Sequence, residues 1–372
     1  MSCIDLKVRV HPEGGVRPGR AQAGPRRSVL LLCLLCSLCL ALILMGCTRA
    51  HDLGSRTGSP ADHLPEWITP LLDSGLRPDW SADGSHLVYL DALVGDVFEL
   101  NLETGESRIL TGHFDHSGFT RARYLASGDL LVCGPGPESG AEEKGRWRTQ
   151  MYFLPRDGHG PAQPLREPCF EGPAVSRQSM QIAWTRTDYP DEILLGRSEI
   201  WTGRLEVEGG EARLVDRKKR VDRSDFMYLA FLETQDFRPP DDQELIFTAY
   251  AYKGGEVMGV DLVSGELTNY SQDWAYDEAE GVFPDGRSVA VERELDTYTA
   301  VPVGDIDIWR LSLDEPHVYR RLTFFTEYAG YGANNPVISP DGKKMVFGLR
   351  IKGGEHGNAE GLFLYDFTKA QP

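Results

Sequence analysis

Asn335-Pro336-Val337-Ile338-Ser339-Pro340-Asp341-Gly342-Lys343-Lys344-Met345-Val346-Phe347-Gly348 carries an apolar pair and an apolar trio on either side of Pro340-Asp341-Gly342. Proline presets φ at a turn and glycine accepts a positive one, so the stretch reads as strand, tight turn, strand. Looser copies lie upstream. Arg77-Pro78-Asp79-Trp80-Ser81-Ala82-Asp83-Gly84 precedes His86 to Tyr89, and Gly281-Val282-Phe283-Pro284-Asp285-Gly286 precedes Ser288 to Val291. One such unit is a hairpin, whereas a spaced series is a repeat architecture.

The order of proline, apolar or aromatic residue, Ser, Asp-Gly and apolar strand resembles the repeat of TolB-type, WD40-like β-propellers, over everything after about residue 65. The resemblance implies an all-β chain, a six-bladed β-propeller of four-stranded antiparallel blades, and the sequence divides into 1–46 (signal), 47–64 (flexible tether) and 65–372 (propeller). Turn and strand signals supply the blade strands. Pro78 to Ser81, His86 to Leu90, Asp96 to Leu102 and Ser107 to Thr111 make the first blade. The second has Leu130 to Cys133 and Gln150 to Leu154; the third, Ala174 to Ser176, Met180 to Thr185 and Glu199 to Val207. Met227 to Phe231, Glu244 to Tyr250 and Glu256 to Leu262 fit the fourth, and Ile306 to Leu313 and Arg320 to Thr323 the fifth. The sixth ends after Gly361 to Phe367 without a fourth strand. Trp67 to Leu72 is spare at the other end, and lending it to the last blade pairs an open edge and closes the ring.

The first 46 residues differ in kind. Arg17, Arg20, Arg26 and Arg27 precede an apolar run from Val29 to Met45, followed by Gly46-Cys47. A basic region, an apolar core and a small residue before the cut describe an export signal, and the run also lies at the lower length limit for a membrane-spanning helix. Leu44-Met45-Gly46-Cys47 resembles the bacterial lipobox, which implies acylation of Cys47, the palmitate-bearing anchor of a lipoprotein. With Thr48 in place of an Asp, the resemblance leans to the outer membrane, facing the periplasm. Arg26-Arg27 fits a twin-arginine signal as well as a general one. Thr48 to Leu64, polar and broken by Gly54, Gly58 and Pro60, reads as the tether.

The 372 residues carry a formal charge of −17. Removing the first 46 leaves 33 basic and 54 acidic residues, a charge of −21, which repels nucleic acid and anionic headgroups. Partners are then proteins or cell-envelope components, with the membrane reached through the lipid. Of seven cysteines, Cys133 and Cys169 remain after the signal and the anchor are set aside. An oxidising location permits a disulfide between them, and two separate buried thiols fit equally.

In a four-stranded blade the Asp-Gly turns share one face. The long insertions, Gly134 to Arg148, Asp188 to Ser198, Arg293 to Gly304 and Lys352 to Glu360, share the other, where binding is expected. There the segments entering each blade would ring the channel mouth with candidate ligand-binding residues Arg77, Arg121, Glu171, Asp225, Glu278, Asn334 and Asn335. A solvated channel and a site for a cation or a peptide terminus both fit this polar ring. His113-Phe114-Asp115-His116 offers imidazole and carboxylate donors for a divalent metal, though loops with two histidines are commonly ordinary.

No Gly-x-Ser-x-Gly elbow, Gly-x-x-x-x-Gly-Lys or His-Glu-x-x-His occurs, and no hydrolase domain is expected after the last blade. Catalytic residues are therefore assigned to none. The expectation is a lipid-anchored, noncatalytic envelope protein that binds through its long-loop face. A metal-dependent lyase or hydrolase acting on exported carbohydrate or peptide is the alternative, with ligands drawn from different blades. Acids outnumber Arg77, Arg121 and Arg123 around the ring, which argues against a polyuronate substrate.

Overall fold

The computed structural model describes residues 53–136, 147–158, 160–192, 195–227, 229–295, 304–353 and 361–370. Within them the chain is all-β. The Asp-Gly turns show how the sequence sets its hairpins. The Ser81 hydroxyl donates to Asp83 Oδ1 at 2.7 Å, and His86 N–H donates to Ser81 Oγ at 2.9 Å. Ser339, Asp341 and Lys344 repeat this arrangement at 2.7 and 2.9 Å. Gly84 and Gly342 take φ of 71° and 69°, where a side chain would be strained. Serine and aspartate thus satisfy the backbone of the turn while glycine turns it.

Strand β1 (Ile68–Leu72) opens the described chain, followed by a four-stranded antiparallel sheet of β2 (Leu76–Trp80), β3 (His86–Leu90), β4 (Val97–Asn101) and β5 (Ser107–Ile109). The second sheet is β6 (Arg121–Tyr124), β7 (Leu130–Pro135), β8 (Thr149–Leu154) and β9 (Gln163–Cys169). The third is β10 (Ala174–Val175), β11 (Gln181–Thr187), β12 (Ser198–Glu208) and β13 (Glu211–Asp222). Two more meanders follow: β14 (Phe231–Arg238), β15 (Glu244–Tyr250), β16 (Gly255–Asp261) and β17 (Leu267–Asn269), then β18 (Tyr276–Val282), β19 (Ser288–Glu294), β20 (Asp307–Ser312) and β21 (Tyr319–Arg321). A single parallel pairing, Gly255 with Tyr276, joins these two into one sheet. The last sheet is β22 (Tyr331–Ile338), β23 (Lys344–Ile351) and β24 (Leu362–Asp366), and β1 pairs antiparallel with β24 as its fourth strand.

The core lies between sheets. Leu131, Cys133 and Phe153 of the second pack on Ile182, Trp184 and Leu205 of the third, and Phe325, Phe347 and Phe363 interlock beside Ile68. The sulfurs of Cys133 and Cys169 are bonded, with Cα atoms 6.0 Å apart.

Two features depart from the sequence reading. The first strand of the fourth meander is Phe231–Arg238, not Met227 to Phe231. Glu233, Thr234 and Gln235 are buried within it, and a run of polar residues does not announce a buried strand. The described part of the segment read as a flexible tether is held against the domain. Gly54 N–H donates to the Thr326 carbonyl at 2.9 Å, Arg56 N–H to that of Glu327 at 2.8 Å, and the Arg56 side chain pairs with Glu327 at 3.0 Å. These are mostly backbone contacts, which leave no hydrophobic period to read.

Candidate functional site

Adjacent first strands β22, β2 and β6 lie side by side, as do β10, β14, β18 and β22. Four of them carry a β-bulge in mid-strand, at Arg77-Pro78 in β2, Gln235 in β14, Glu280 in β18 and Asn335-Pro336 in β22. An extra residue bends a strand and re-aims a side chain. Arg77 and Asn335 accordingly take positive φ, 52° and 47°. The result is a buried, charged patch built from several sheets.

Arg77 donates from Nη1 to the Thr120 carbonyl at 2.7 Å and from Nη2 to Glu171 at 2.5 Å. Burial works against the Arg77 charge, but Glu171 overrides it and holds the guanidinium above its ordinary value. Arg121 Nε donates to the Glu171 carbonyl at 3.0 Å. Burial, then the charge of Arg77, pushes Arg121 down.

Beyond this pair the patch is acidic. Glu278, Glu280 and Glu292 each bring a carboxylate oxygen within 4.8 Å of the others. Asn335 N–H donates to Glu292 Oε1 at 2.7 Å, Tyr250 donates to Glu233 at 2.8 Å, and Tyr276 donates to Glu278. Burial, reinforced by the neighbouring Glu280, pushes Glu278 up to about 7. Burial and then Glu278 hold both Glu233 and Glu292 well above the usual carboxylate range. Glu280 Oε2 and Gln235 Nε2, both on bulges, are buried without a hydrogen-bond partner among the described residues.

A second polar knot ties three sheets together. Asp79, on β2, is fully buried and accepts from Arg123 Nη1 at 3.2 Å, Arg177 Nη2 at 2.6 Å and Tyr124 N–H at 2.8 Å. Burial would raise its carboxyl, but Arg177 and Arg123 win and hold it below the ordinary value.

On the side of the long β11–β12 loop, Trp147, Arg148, Phe170, Thr187, Tyr189 and Asp191 line a cavity of about 230 Å³. Arg148 and Asp191 pair across it. From here ring contacts run inward: Trp147 on Phe170 at 5.7 Å, Phe170 on Phe231 at 4.8 Å, Phe231 on Tyr250 at 6.3 Å and Tyr250 on Tyr276 at 6.0 Å. Tyr276 then meets Glu278, so the aromatic run joins the cavity to the carboxylates.

Of the residues singled out from sequence, Arg77, Arg121, Glu171, Glu278 and Asn335 come together. Asn334 is next to them, its side chain against Gly348, where a Cβ would clash. Asp225 is elsewhere, exposed in a 3-10 turn and accepting from the Asp222 N–H at 2.8 Å. His113 Nε2 meets the Gly160 carbonyl at 2.8 Å and His116 Nε2 meets Asp96 at 3.0 Å, with Phe114 packed against both rings and Asp115 exposed. His116 also accepts at Nδ1 from the Gly118 N–H at 2.9 Å, so both of its ring nitrogens are engaged and a shared ion would require it to leave one of these partners. Glu233, Gln235, Tyr250, Tyr276 and Glu292 escaped the sequence reading; Glu292 follows the apolar Val289-Ala290-Val291, an acid inside a buried strand. Cys47 lies outside the described residues, and among the described ones no helix is long and apolar enough to cross a membrane.

No family model matches the sequence, and no curated protein matches it. Among solved structures the chain is similar to a gluconolactonase from Xanthomonas campestris, at 14% identity and TM-score 0.51, over 80% of this chain and 89% of that one. It is also similar to a putative TolB from Agrobacterium tumefaciens, at 17% identity and TM-score 0.48, over 69% of this chain and 78% of that one. A TolB from Acinetobacter baumannii matches at 11% identity and TM-score 0.48, over 79% of this chain, which spans 63% of the TolB's length. At such identities the likeness to the gluconolactonase concerns fold alone, and the two TolB likenesses are weaker still. The chain is thus an all-β protein of four-stranded antiparallel sheets with propeller-like neighbours.

Proposed function

We propose that the chain is a closed six-bladed β-propeller, held in the cell envelope by lipid on Cys47, that binds a protein or another envelope component without transforming it. The aromatic-lined cavity between Trp147 and Tyr189 carries this reading. Large, partly buried aromatic rings beside an Arg-Asp pair are what an interface uses for its anchors, because they bury much area at little entropic cost. The pairing of β1 with β24 supports closure, since the last meander has no other fourth strand among the described residues. The strong negative charge speaks against nucleic acid and for a neutral or basic partner surface.

Cross-linking in detergent-solubilised envelopes is expected to capture a discrete partner. Trp147→Ala combined with Tyr189→Ala should reduce that capture at least tenfold while leaving the far-UV circular dichroism unchanged. Capture that survives both this variant and removal of residues 134–148 would refute binding at this face. For the anchor, a palmitate analogue fed to cells is expected to label the protein, and Cys47→Ala should abolish the label; labelling that persists in the variant argues for a different attachment.

A further inference from the structure

The fifth meander gathers positive charge in a chain whose formal charge is −17. Arg310 on β20 and Arg320 on β21 stand directly opposite each other in the register, a placement that is unfavourable for like charges. With Asp285, Ser288 and Ser312 they line a cavity of about 290 Å³, at the end of the meander where the β18–β19 and β20–β21 turns lie. Arg287 lines it as well, held by Asp314 at 2.6 Å. Two aspartates do not cancel three guanidiniums here. Asp314 is shared with a fourth, Arg238, at 3.3 Å, and Asp285 Oδ2 stays 3.7 Å from Arg310, beyond a hydrogen bond. Burial pushes Arg310 below its ordinary value; Asp285 resists, while the charges of Arg320 and Arg287 add to the push.

Arg310 is nevertheless fixed in place. Its Nε donates to Ser288 Oγ at 2.7 Å, and its guanidinium carbon lies 4.1 Å from the centre of the Phe283 ring, so the fork is preorganised. Ser312 Oγ accepts from the N–H groups of Asp314 and Glu315 at 3.2 and 3.0 Å. With their oxygens engaged as acceptors, both hydroxyls keep a proton to give. We propose that this cavity binds a phosphate monoester, its phosphoryl group held between Arg310 and Arg320 with Ser288 and Ser312 as further donors. A carboxylate is planar and one guanidinium satisfies it, whereas a phosphoryl group presents three acceptor oxygens and takes donors from several strands. The volume is close to the roughly 300 Å³ at which small-molecule sites begin, which leaves room for the alcohol part of the ester beside the exposed Val318.

The site lies on a different meander from the aromatic cavity, so its failure and the failure of partner capture are distinguishable. The test is isothermal titration calorimetry on detergent-purified full-length protein with two probes, glycerol 3-phosphate for a soluble ester and dihexanoyl phosphatidic acid for a lipid headgroup. Saturable binding at one site per chain is expected, and the tighter of the two probes identifies the source of the phosphoryl group. Arg310→Ala and Arg320→Ala should each weaken binding about tenfold, the usual loss for one charge-assisted contact. Arg320 is exposed, so its variant keeps the test open if Arg310→Ala folds poorly. Asp285→Asn should tighten binding, because a carboxylate that competes for Arg310 is gone. No saturable binding of either ester at millimolar concentration, or affinities unchanged in both arginine variants, would overturn the proposal.

Discussion

Deleting residues 68–72 is expected to abolish the soluble monomer. The deletion strips β24 of its outer partner from Tyr365 to Leu362 and takes Ile68 out of the cluster that holds Phe325, Phe347 and Phe363. Two penalties combine. Hydrogen-bonding groups along a whole strand are left unmatched, which templates association with other chains, and aromatic surface returns to water at about 25 cal/mol per Å². Size-exclusion chromatography should show aggregates or a void-volume peak, and near-UV circular dichroism should lose its fine structure. A deletion protein that elutes as a monomer with unchanged Tm would mean that β1 is an accessory strand. Ile68→Asp is the point version of the same experiment, placing a charge at a buried position, and should lower Tm sharply without changing chain length.

The second large effect is expected at Asp79. Asp79→Ala removes the carboxylate that Arg123, itself buried, pairs with, and the Arg123 Nε already lacks a partner among the described residues. Removing one side of such a pair costs about 3–5 kcal/mol, because the remaining charge stays buried. Urea unfolding at pH 7 should show that loss as a lower midpoint with little change in slope. The pH dependence has a defined sign. The Asp79 carboxyl titrates below its unfolded value, so its stabilisation is fully present above about pH 4 and disappears as pH falls through the folded value. The gap between the parent protein and Asp79→Ala should therefore narrow in acid. A gap that stayed constant from pH 7 to pH 3 would show that the cost is packing rather than charge.

Asp79 also shows how far sequence reading reaches. Arg77-Pro78-Asp79-Trp80 was legible as a strand because Asp83-Gly84 follows it at hairpin distance. That Asp79 points inward to two arginines from other sheets was not, since nothing local marks a buried acid. The same physics hid half of the carboxylate patch. Glu278 stood out near a blade entrance, but Glu233 and Glu292 lie inside strands, where an acid ordinarily signals the solvent face. The bulge at Gln235 adds a residue without any proline or glycine of its own, so the shift in facing there left no trace in composition, whereas at Glu280 the following Gly281 is the one local mark of the bulge. The Pro-Asp-Gly turns and the spare strand at Trp67 to Leu72, by contrast, are written in short-range chemistry and could be read directly.

The union of β1 with β24 also bears on how the protein comes to exist. Of the described strands, the first to be synthesised waits for a companion made after all the others, so the sheets between them can form before the two meet. Folding to completion is then deferred until the distal end has been delivered, and a message truncated before codon 362 yields a product with a sticky margin for proteases and chaperones to find.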